Sequence, residues 1–405
     1  MLYLLHEAGY NAVAPFNIWA QAMLSAMNHP LNFWQDRFHH RAMTTGLEVI
    51  ERLTRRYQKP DFGVSHTIVD GKTAAVSEAV ALSKPFCNLL HFQRATSRRD
   101  PKVLLVAPLS GHHSTLLRGT VEALLPEHDV YITDWADARN VPLAEGPFNF
   151  DDYAAYMQEF MRHLGCSVHV IAVCQPAVPV LAAVSLMAAN KELTPRSMTL
   201  IGGPIDTRRS PTQVNRTAIE RSLAWFRKNL IHEVPPGYVG AGHKVCPGFL
   251  QLAGFMSLNP ERHIASHLSL MQDLVRGDED SAATHRRFYD EYNAVMDMPA
   301  EYFLETVKTV FQEHALPRGT MVCLGQRVDP AAIRHTALLT IEGEDDDICG
   351  RGQTEAAHDL CRNIPVSMRE HLLVEQAGHY GIFNGRRFRE QVAPRIHSFI
   401  RKHDA

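Results

Sequence analysis

Apolar residues change their spacing along this chain, and each change marks a different part of the fold. Phe16, Trp19, Ala20, Met23, Leu24 and Met27 recur at i, i+3, i+4, i+7, i+8 and i+11, which is one face of an α-helix. The spacing predicts a helix opened near Pro15 and closed before Pro30. Met43, Leu47, Ile50, Thr54 and Tyr57 predict a second helix that ends before Lys59-Pro60. The aromatic and Met face of this preface is expected to pack into a core; contact with lipid or polymer is its rival role. From Asp61 the runs become short and continuous. Residues 64–69 and the stretch around Leu89-Leu90-His91-Phe92 read as strands, with Asp70-Gly71 as a turn. Residues 102–107 and 129–135 predict buried strands, with a helix from about 115 to 125 between them. A helix from Phe150 to about Leu164 carries Asp151 and Asp152 in its first turn, where the helix dipole favours acids. Residues 167–173 form a β-branched run, followed by an Ala- and Leu-rich helix to about Asn190 and a strand over 198–203.

After Asp206 the alternation stops. Residues 207–330 read as helices and loops, with apolar clusters at Leu223-Ala224-Trp225-Phe226, Phe249-Leu250-Gln251-Leu252 and Tyr302-Phe303. The alternation resumes with a strand at 337–341, a helix near 354–361, a strand at 371–374 and a final helix from about 386 to 401. Short apolar strands alternating with helices predict an α/β protein with a mostly parallel, doubly covered sheet. The chain therefore divides into an N-terminal helical extension (1–60), a first part of the core (61–206), a helical cap insertion (207–330) and a second part of the core (331–405).

Composition changes this picture little. The chain has 405 residues, more than the ~250–300 at which one core stops growing, which agrees with an insertion. A net charge of −3 gives no electrostatic footprint for nucleic acid. The basic clusters Arg52-Leu53-Thr54-Arg55-Arg56 and Arg386-Arg387-Phe388-Arg389 are short and read as solvated helix faces. Seven scattered cysteines without a C-x-x-C pair argue against a disulfide framework or a zinc ribbon and fit a reducing compartment. Met1-Leu2-Tyr3-Leu4-Leu5 is followed at once by His6-Glu7 and lacks a basic lead, so it does not read as a secretory signal. No apolar run reaches the ~18 residues of a membrane span. The expectation is a cytoplasmic protein that is not integral to a membrane.

The candidate chemistry lies where the β-branched run meets its helix, at Ala172-Val173-Cys174-Gln175-Pro176. Small-x-nucleophile-x-small is the pattern of a tight strand-to-helix turn that lifts a nucleophile out of the backbone. The bland alternative is a buried core cysteine. A nucleophile needs a base, and the base needs an acceptor that fixes its tautomer. In the α/β-hydrolase arrangement the chain order is nucleophile, acid, histidine, each in a loop after a strand. Asp346 follows the resumed strand and His379 follows the last one, so these are the expected partners. Asp345 or Asp347 could hold the acid's place, and the acidic loop Glu342 to Asp347 could be merely solvated. Gly378 would let its loop bring the His379 imidazole inward. An oxyanion hole needs two backbone N–H groups. Gln175 supplies one, and Leu109, Ser110 or Gly111 the other, with Ser110 and Gly111 as the leading candidates. Leu109, His112 and Tyr380 are candidate substrate-lining residues. His112 and His113 lack a third ligand at recognisable spacing, and Cys166-x-x-His169 joins a loop to a strand, so no metal is expected.

Several long motifs resemble one family. They are Met1-Leu2-Tyr3-Leu4-Leu5-His6-Glu7, Thr54-Arg55-Arg56-Tyr57-Gln58-Lys59-Pro60-Asp61-Phe62-Gly63, Pro108-Leu109-Ser110-Gly111-His112, Ala172-Val173-Cys174-Gln175-Pro176 and Gly248-Phe249-Leu250-Gln251-Leu252-Ala253-Gly254-Phe255-Met256. Together they resemble the intracellular polyhydroxybutyrate (PHB) depolymerases across essentially the whole chain. The resemblance implies an α/β-hydrolase fold, a Cys-Asp-His triad at Cys174, Asp346 and His379, and cleavage of the amorphous polyester of storage granules to 3-hydroxybutyrate units or oligomers. It implies the granule surface as partner and no cofactor, with coenzyme A open as acyl acceptor because a thioester reacts with thiols. Polyhydroxyalkanoate synthases are similar, but their elbow usually reads G-x-C-x-G, where this chain has Ala172 and Pro176. A non-catalytic granule-coating protein is the reading from another class.

Overall fold

The structure is a computed structural model that describes residues 2–29, 38–165, 167–258 and 260–404. Met1, Pro30 and Cys166, cited above, lie outside these residues. Nine strands form the central sheet: β1 (His66–Val69), β2 (Lys72–Lys84), β3 (Cys87–Arg94), β4 (Lys102–Val106), β5 (Asp129–Trp135), β6 (Val168–Val173), β7 (Ser197–Ile201), β8 (Ala337–Gly343) and β9 (Arg369–Val374). Their spatial order is β1-β2-β3-β5-β4-β6-β7-β8-β9. Pairing is antiparallel from β1 to β5 and parallel from β5 to β9.

The central strands show why their sequences run apolar without alternation. Every residue of β6, β7 and β8 is buried, so both faces of the sheet are covered. Each Val, Leu or Ile removed from water in this way contributes about 1.5–3 kcal/mol. Helices α3 (Arg118–Leu124), α4 (Phe150–Leu164) and α5 (Ala177–Ala189) belong to this core. At the start of α4 the Asn149 side chain accepts from the Asp152 amide, and Asp152 accepts from the Asn149 amide at 2.8 Å. Asp70 (φ 50°) and Gly71 (φ 74°) make the tight turn expected between β1 and the next strand.

Several expectations need correction. The 13-residue β2 has no counterpart in the sequence reading. Its Ala-, Ser- and Glu-containing run lacks strand propensity, and tertiary pairing with β1 and β3 makes it a strand. The first helix, α1 (Leu2–Met27), does not open at Pro15 but runs through it. A proline removes one backbone donor, which a long helix can absorb. Ala20 on its apolar face is buried, but Phe16 and Trp19 are 62% and 51% exposed, so that face is not all core. The second helix, α2 (Phe38–Thr54), stops before Tyr57. Near 354–361 only Ala357–Leu360 is helical, and the last helix (Ala393–His403) is preceded by a wider π-helical turn, Phe388–Val392.

Residues 207–330 hold α6 (Gln213–Glu220), α7 (Leu223–Leu230), α8 (Gly248–Leu258), α9 (Pro260–Arg276), α10 (Glu279–Asn293) and α11 (Ala300–Thr306). They are not helical throughout. His232–Glu233, Lys244–Cys246 and Met298–Pro299 form a small antiparallel sheet, and Val322–Cys323 pairs with Gln326–Arg327. The N-terminal helices pack on this insertion, α2 against α9. The Tyr3 hydroxyl donates to Asp297 Oδ2 at 2.6 Å, and Asp297 Oδ1 accepts from the Gly248 amide at 2.9 Å, which ties the start of α1 to the start of α8. Among the described residues no helix is long and apolar enough to cross a membrane.

Candidate active site

Cys174 stands between the end of β6 and the start of α5 with φ +68°. That left-handed conformation is costly for a residue with a Cβ, by roughly 1–2 kcal/mol, and marks a sharp turn held by its surroundings. The Cys174 amide donates to the Ile201 carbonyl at 2.7 Å, and its carbonyl accepts from the Ala177 amide at 3.1 Å. Space for the turn comes from the next strand. A Cβ on Gly203 would lie 2.1 Å from the Ala177 Cβ and 3.1 Å from the Cys174 carbonyl oxygen. A Cβ on Gly202, itself at φ +55°, would lie 3.1 Å from His379 Cε1. These two glycines therefore allow the elbow and the imidazole to approach β7. Gly203→Ala is expected to lose about 1–3 kcal/mol of stability through overpacking, read as a lower midpoint of thermal or urea unfolding. An unchanged midpoint would contradict the packing.

The loops after β8 and β9 bring Asp346 and His379 together. Asp346 Oδ2 accepts from His379 Nδ1 at 2.7 Å, and both side chains are buried. Asp346 Oδ1 accepts from the amides of Ile348 (2.9 Å) and Cys349 (2.8 Å), so the carboxylate is fixed at both oxygens. This places Asp346, and not the exposed Asp345, against the imidazole. With Nδ1 committed to the carboxylate, the ring's other nitrogen is left for the thiol, and the His379 and Cys174 side chains are hydrogen-bonded. Burial disfavours the charged imidazolium, but the Asp346 carboxylate and Cys174 outweigh it and hold the His379 pKa well above its usual value.

A cavity of about 180 Å³ opens on this trio. Cys174, Gln175, Ser110, His112, His379 and Tyr380 stand on its wall, and Phe255, Phe303, Val307 and Phe311 join them from residues 207–330. Two sequence expectations fare differently. Leu109 is not on this wall: it is 1% exposed in the main core, because the loop after β4 turns it inward. Its amide donates to Gln175 Oε1 at 3.2 Å and is therefore engaged. Gly111 is also absent from the wall; it packs against Gln251, and its carbonyl accepts from the Met296 amide. Of the three amides in that loop, only Ser110 belongs to a residue facing the cavity. The role of the Gln175 side chain, which clasps the two loops that flank the nucleophile, was not visible in the sequence.

His112 is buried with Nε2 donating to the Tyr292 carbonyl at 3.1 Å, and burial pushes its pKa down to about 4. His113 is pushed down to about 3, again by burial. His112 lines the cavity with its Nε2 engaged by a backbone carbonyl, while His113 is buried beside it. Glu342, Glu355 and His371 place one ligand atom each within 4.8 Å of one another. The Glu342 carboxylate, however, already accepts from the amides of Gly352, Thr354 and Glu355. Cys349 also lines the cavity, and burial pushes its thiol well above the usual range, which makes it a poor nucleophile beside Cys174.

A largely parallel sheet with an elbow cysteine after β6, an acid after β8 and a histidine after β9 defines an α/β-hydrolase. Residues 202–404 match the family described as PHB de-polymerase C-terminus, which is half of the chain. The chain belongs to this polyhydroxybutyrate depolymerase family, and ester hydrolysis is the class of reaction that membership supports. No curated protein matches the chain. Solved structures it is similar to include a lipase (lip1) from Acinetobacter baumannii AYE, with 14% identity, 81% of this chain and 93% of the other covered, and a TM-score of 0.43. A monoacylglycerol lipase from Paleococcus ferrophilus has 14% identity, coverages of 75% and 94%, and a TM-score of 0.46. The 2-hydroxy-6-oxo-6-phenylhexa-2,4-dienoate hydrolase of Rhodococcus sp. strain RHA1 has 14% identity, coverages of 81% and 99%, and a TM-score of 0.44.

Proposed function

We propose that the protein cleaves ester bonds of amorphous poly(3-hydroxybutyrate) at the surface of storage granules in the cytoplasm, through a Cys174-His379-Asp346 triad. The observation that carries the reading is the strained Cys174 beneath a histidine that is hydrogen-bonded to a fixed, buried carboxylate. In the first step the Cys174 sulfur, its proton held by His379, attacks an ester carbonyl. The tetrahedral oxyanion is met by the Gln175 amide and the Ser110 amide. Collapse breaks the C–O bond, and His379 gives its proton to the leaving alkoxide, so one chain departs with a hydroxyl end. The other stays on sulfur as a thioester. Water then attacks that thioester, with His379 taking its proton, and the freed chain leaves as an acid. The thiol of coenzyme A can attack the same thioester in place of water.

The apolar wall contributed by the cap suits a polyester with no charge along its length. Incubation with native amorphous granules, with and without coenzyme A, is expected to release 3-hydroxybutyrate or its oligomers, identified by mass spectrometry. Binding to granules with no released acid would sink the reading. Activity also has a defined alkaline side. The first step needs a proton on His379, whose pKa is raised in the folded state. Cleavage is therefore expected to fall as pH rises through that value, when the imidazolium is lost. A rate still rising with pH after His379 has deprotonated, as followed by NMR, would contradict its role as the acid.

A further inference from the structure

A second cavity, of about 550 Å³, adjoins the catalytic one, and Leu116 and Tyr380 stand on both walls. Its character is the opposite. Arg118, Arg287, Arg386 and Arg389 line it, against only Glu122 and Glu291. Arg118 is already committed: it pairs with the buried Glu291 at 2.7 Å and donates to the Asp61 carbonyl. Arg386 pairs with Glu390 at 2.8 Å on the surface. Among the described residues, no carboxylate lies within ion-pair distance of Arg287 or Arg389, two exposed residues from α10 and from the π-helical turn Phe388–Val392, although Arg287 also acts on Glu291 through its charge. The three arginines of the Arg386-Arg387-Phe388-Arg389 segment are exposed, as the solvated-face reading expects, and Arg386 and Arg389 also line this cavity next to the catalytic histidine. Tyr380, the residue after His379, is the partition.

We propose that this second cavity is a subsite for an anionic oxygen group, the terminal carboxylate of an acid-ended hydroxyacid oligomer whose scissile ester lies at Cys174. The proposal rests on the ester-cleaving reading above. Cleavage leaves the acyl portion on sulfur and releases a leaving chain with a new hydroxyl at one end and the oligomer's original carboxylate at the other. Arg287 and Arg389 would hold that carboxylate, since a guanidinium meets a carboxylate through two parallel N–H donors. Holding the acid end fixes which ester reaches the sulfur, so the enzyme trims short acid-ended units from that end. The phosphates of a thiol acceptor offer the same anionic chemistry and must be distinguished from it.

The test compares an acid-ended trimer of 3-hydroxybutyrate with its methyl ester, in the wild type and in an Arg287→Ala/Arg389→Ala variant. The wild type is expected to show a KM about tenfold lower for the free acid, the scale of one charge-assisted contact. The variant should lose that preference while its kcat on the methyl ester stays unchanged. Equal KM values in the wild type, or a preference that survives in the variant, overturns the subsite. Calorimetric titration of Cys174→Ala protein with both trimers reads binding without turnover. If neither trimer is cleaved but binding favours the free acid and depends on the two arginines, the subsite stands and the ester-cleaving reading fails. Inorganic phosphate competing strongly while the methyl ester and free acid bind alike reassigns the cavity to phosphate and overturns the carboxylate.

Discussion

Cys174→Ala is expected to lower ester cleavage by about a million-fold, the loss seen when a nucleophile is removed from a triad that acts as one unit. The chemistry leaves no substitute at the elbow. Cys349 lines the same cavity, but burial keeps its thiol protonated, and it makes contacts with Gln353 and Thr354 instead of the imidazole. Two further readings separate loss of the nucleophile from loss of the fold. Because Cys174 is one of the groups that raise the His379 pKa, that pKa should fall in the alanine variant, as followed by NMR. Cys174→Gly should also be more stable than Cys174→Ala by roughly 1 kcal/mol, since glycine accepts φ +68° without the steric cost. Wild-type-like turnover in the alanine variant would remove Cys174 from the mechanism. An alanine variant as stable as the glycine variant would mean that the elbow stores no strain.

That strain explains how the elbow could be read from sequence although both of its glycines are missing. The pattern needs small or turn-compatible residues beside the nucleophile, and Ala172 and Pro176 meet the need in different ways. Ala172 is fully buried one residue before the end of β6, while Pro176 sits at φ −56° just ahead of α5, where a missing N–H costs little. The buried strands of the core were legible for a different reason: a strand buried on both faces must be apolar without alternation. The partly exposed β2 carries no such mark, and neither does α1, whose continuation through Pro15 is decided by what it packs on. The relation between loops was harder still. Asp346 and His379 follow from chain order, but the inward turn of Leu109 and the clasp of Gln175 on its amide depend on how two loops meet in space. Gly202-Gly203 was visible as a strand end. Its purpose, clearance for Ala177 and for the imidazole, appears only once β7 lies beside β6.

Asp346→Asn is expected to cost about ten-thousand-fold in turnover while leaving the protein folded. The wild-type carboxylate accepts at both oxygens, from two backbone amides on one side and from His379 Nδ1–H on the other. An asparagine in the same place can keep its carbonyl oxygen on the Ile348 and Cys349 amides, so the loop survives. Its amide nitrogen then faces Nδ1 as a donor. His379 must answer by placing its proton on the other nitrogen, the one that faces Cys174, and that nitrogen can no longer receive the thiol proton. The charge that offset the burial of the imidazolium is removed as well, so the His379 pKa should drop below its wild-type value. The sign for stability follows from the wild-type shift. A histidine whose folded pKa is raised contributes stability below its unfolded value of about 6.5, and that contribution is lost as pH rises through the folded value. The variant should therefore lose most of its stability difference from the wild type in alkaline solution and show it most at acid pH. Urea unfolding at several pH values, together with single-turnover acylation by a chromogenic ester, measures both effects. Full acylation rates in Asp346→Asn would show that the acid does not orient the base, and a stability difference confined to alkaline pH would show that the His379–Asp346 pair is not the charged contact described here.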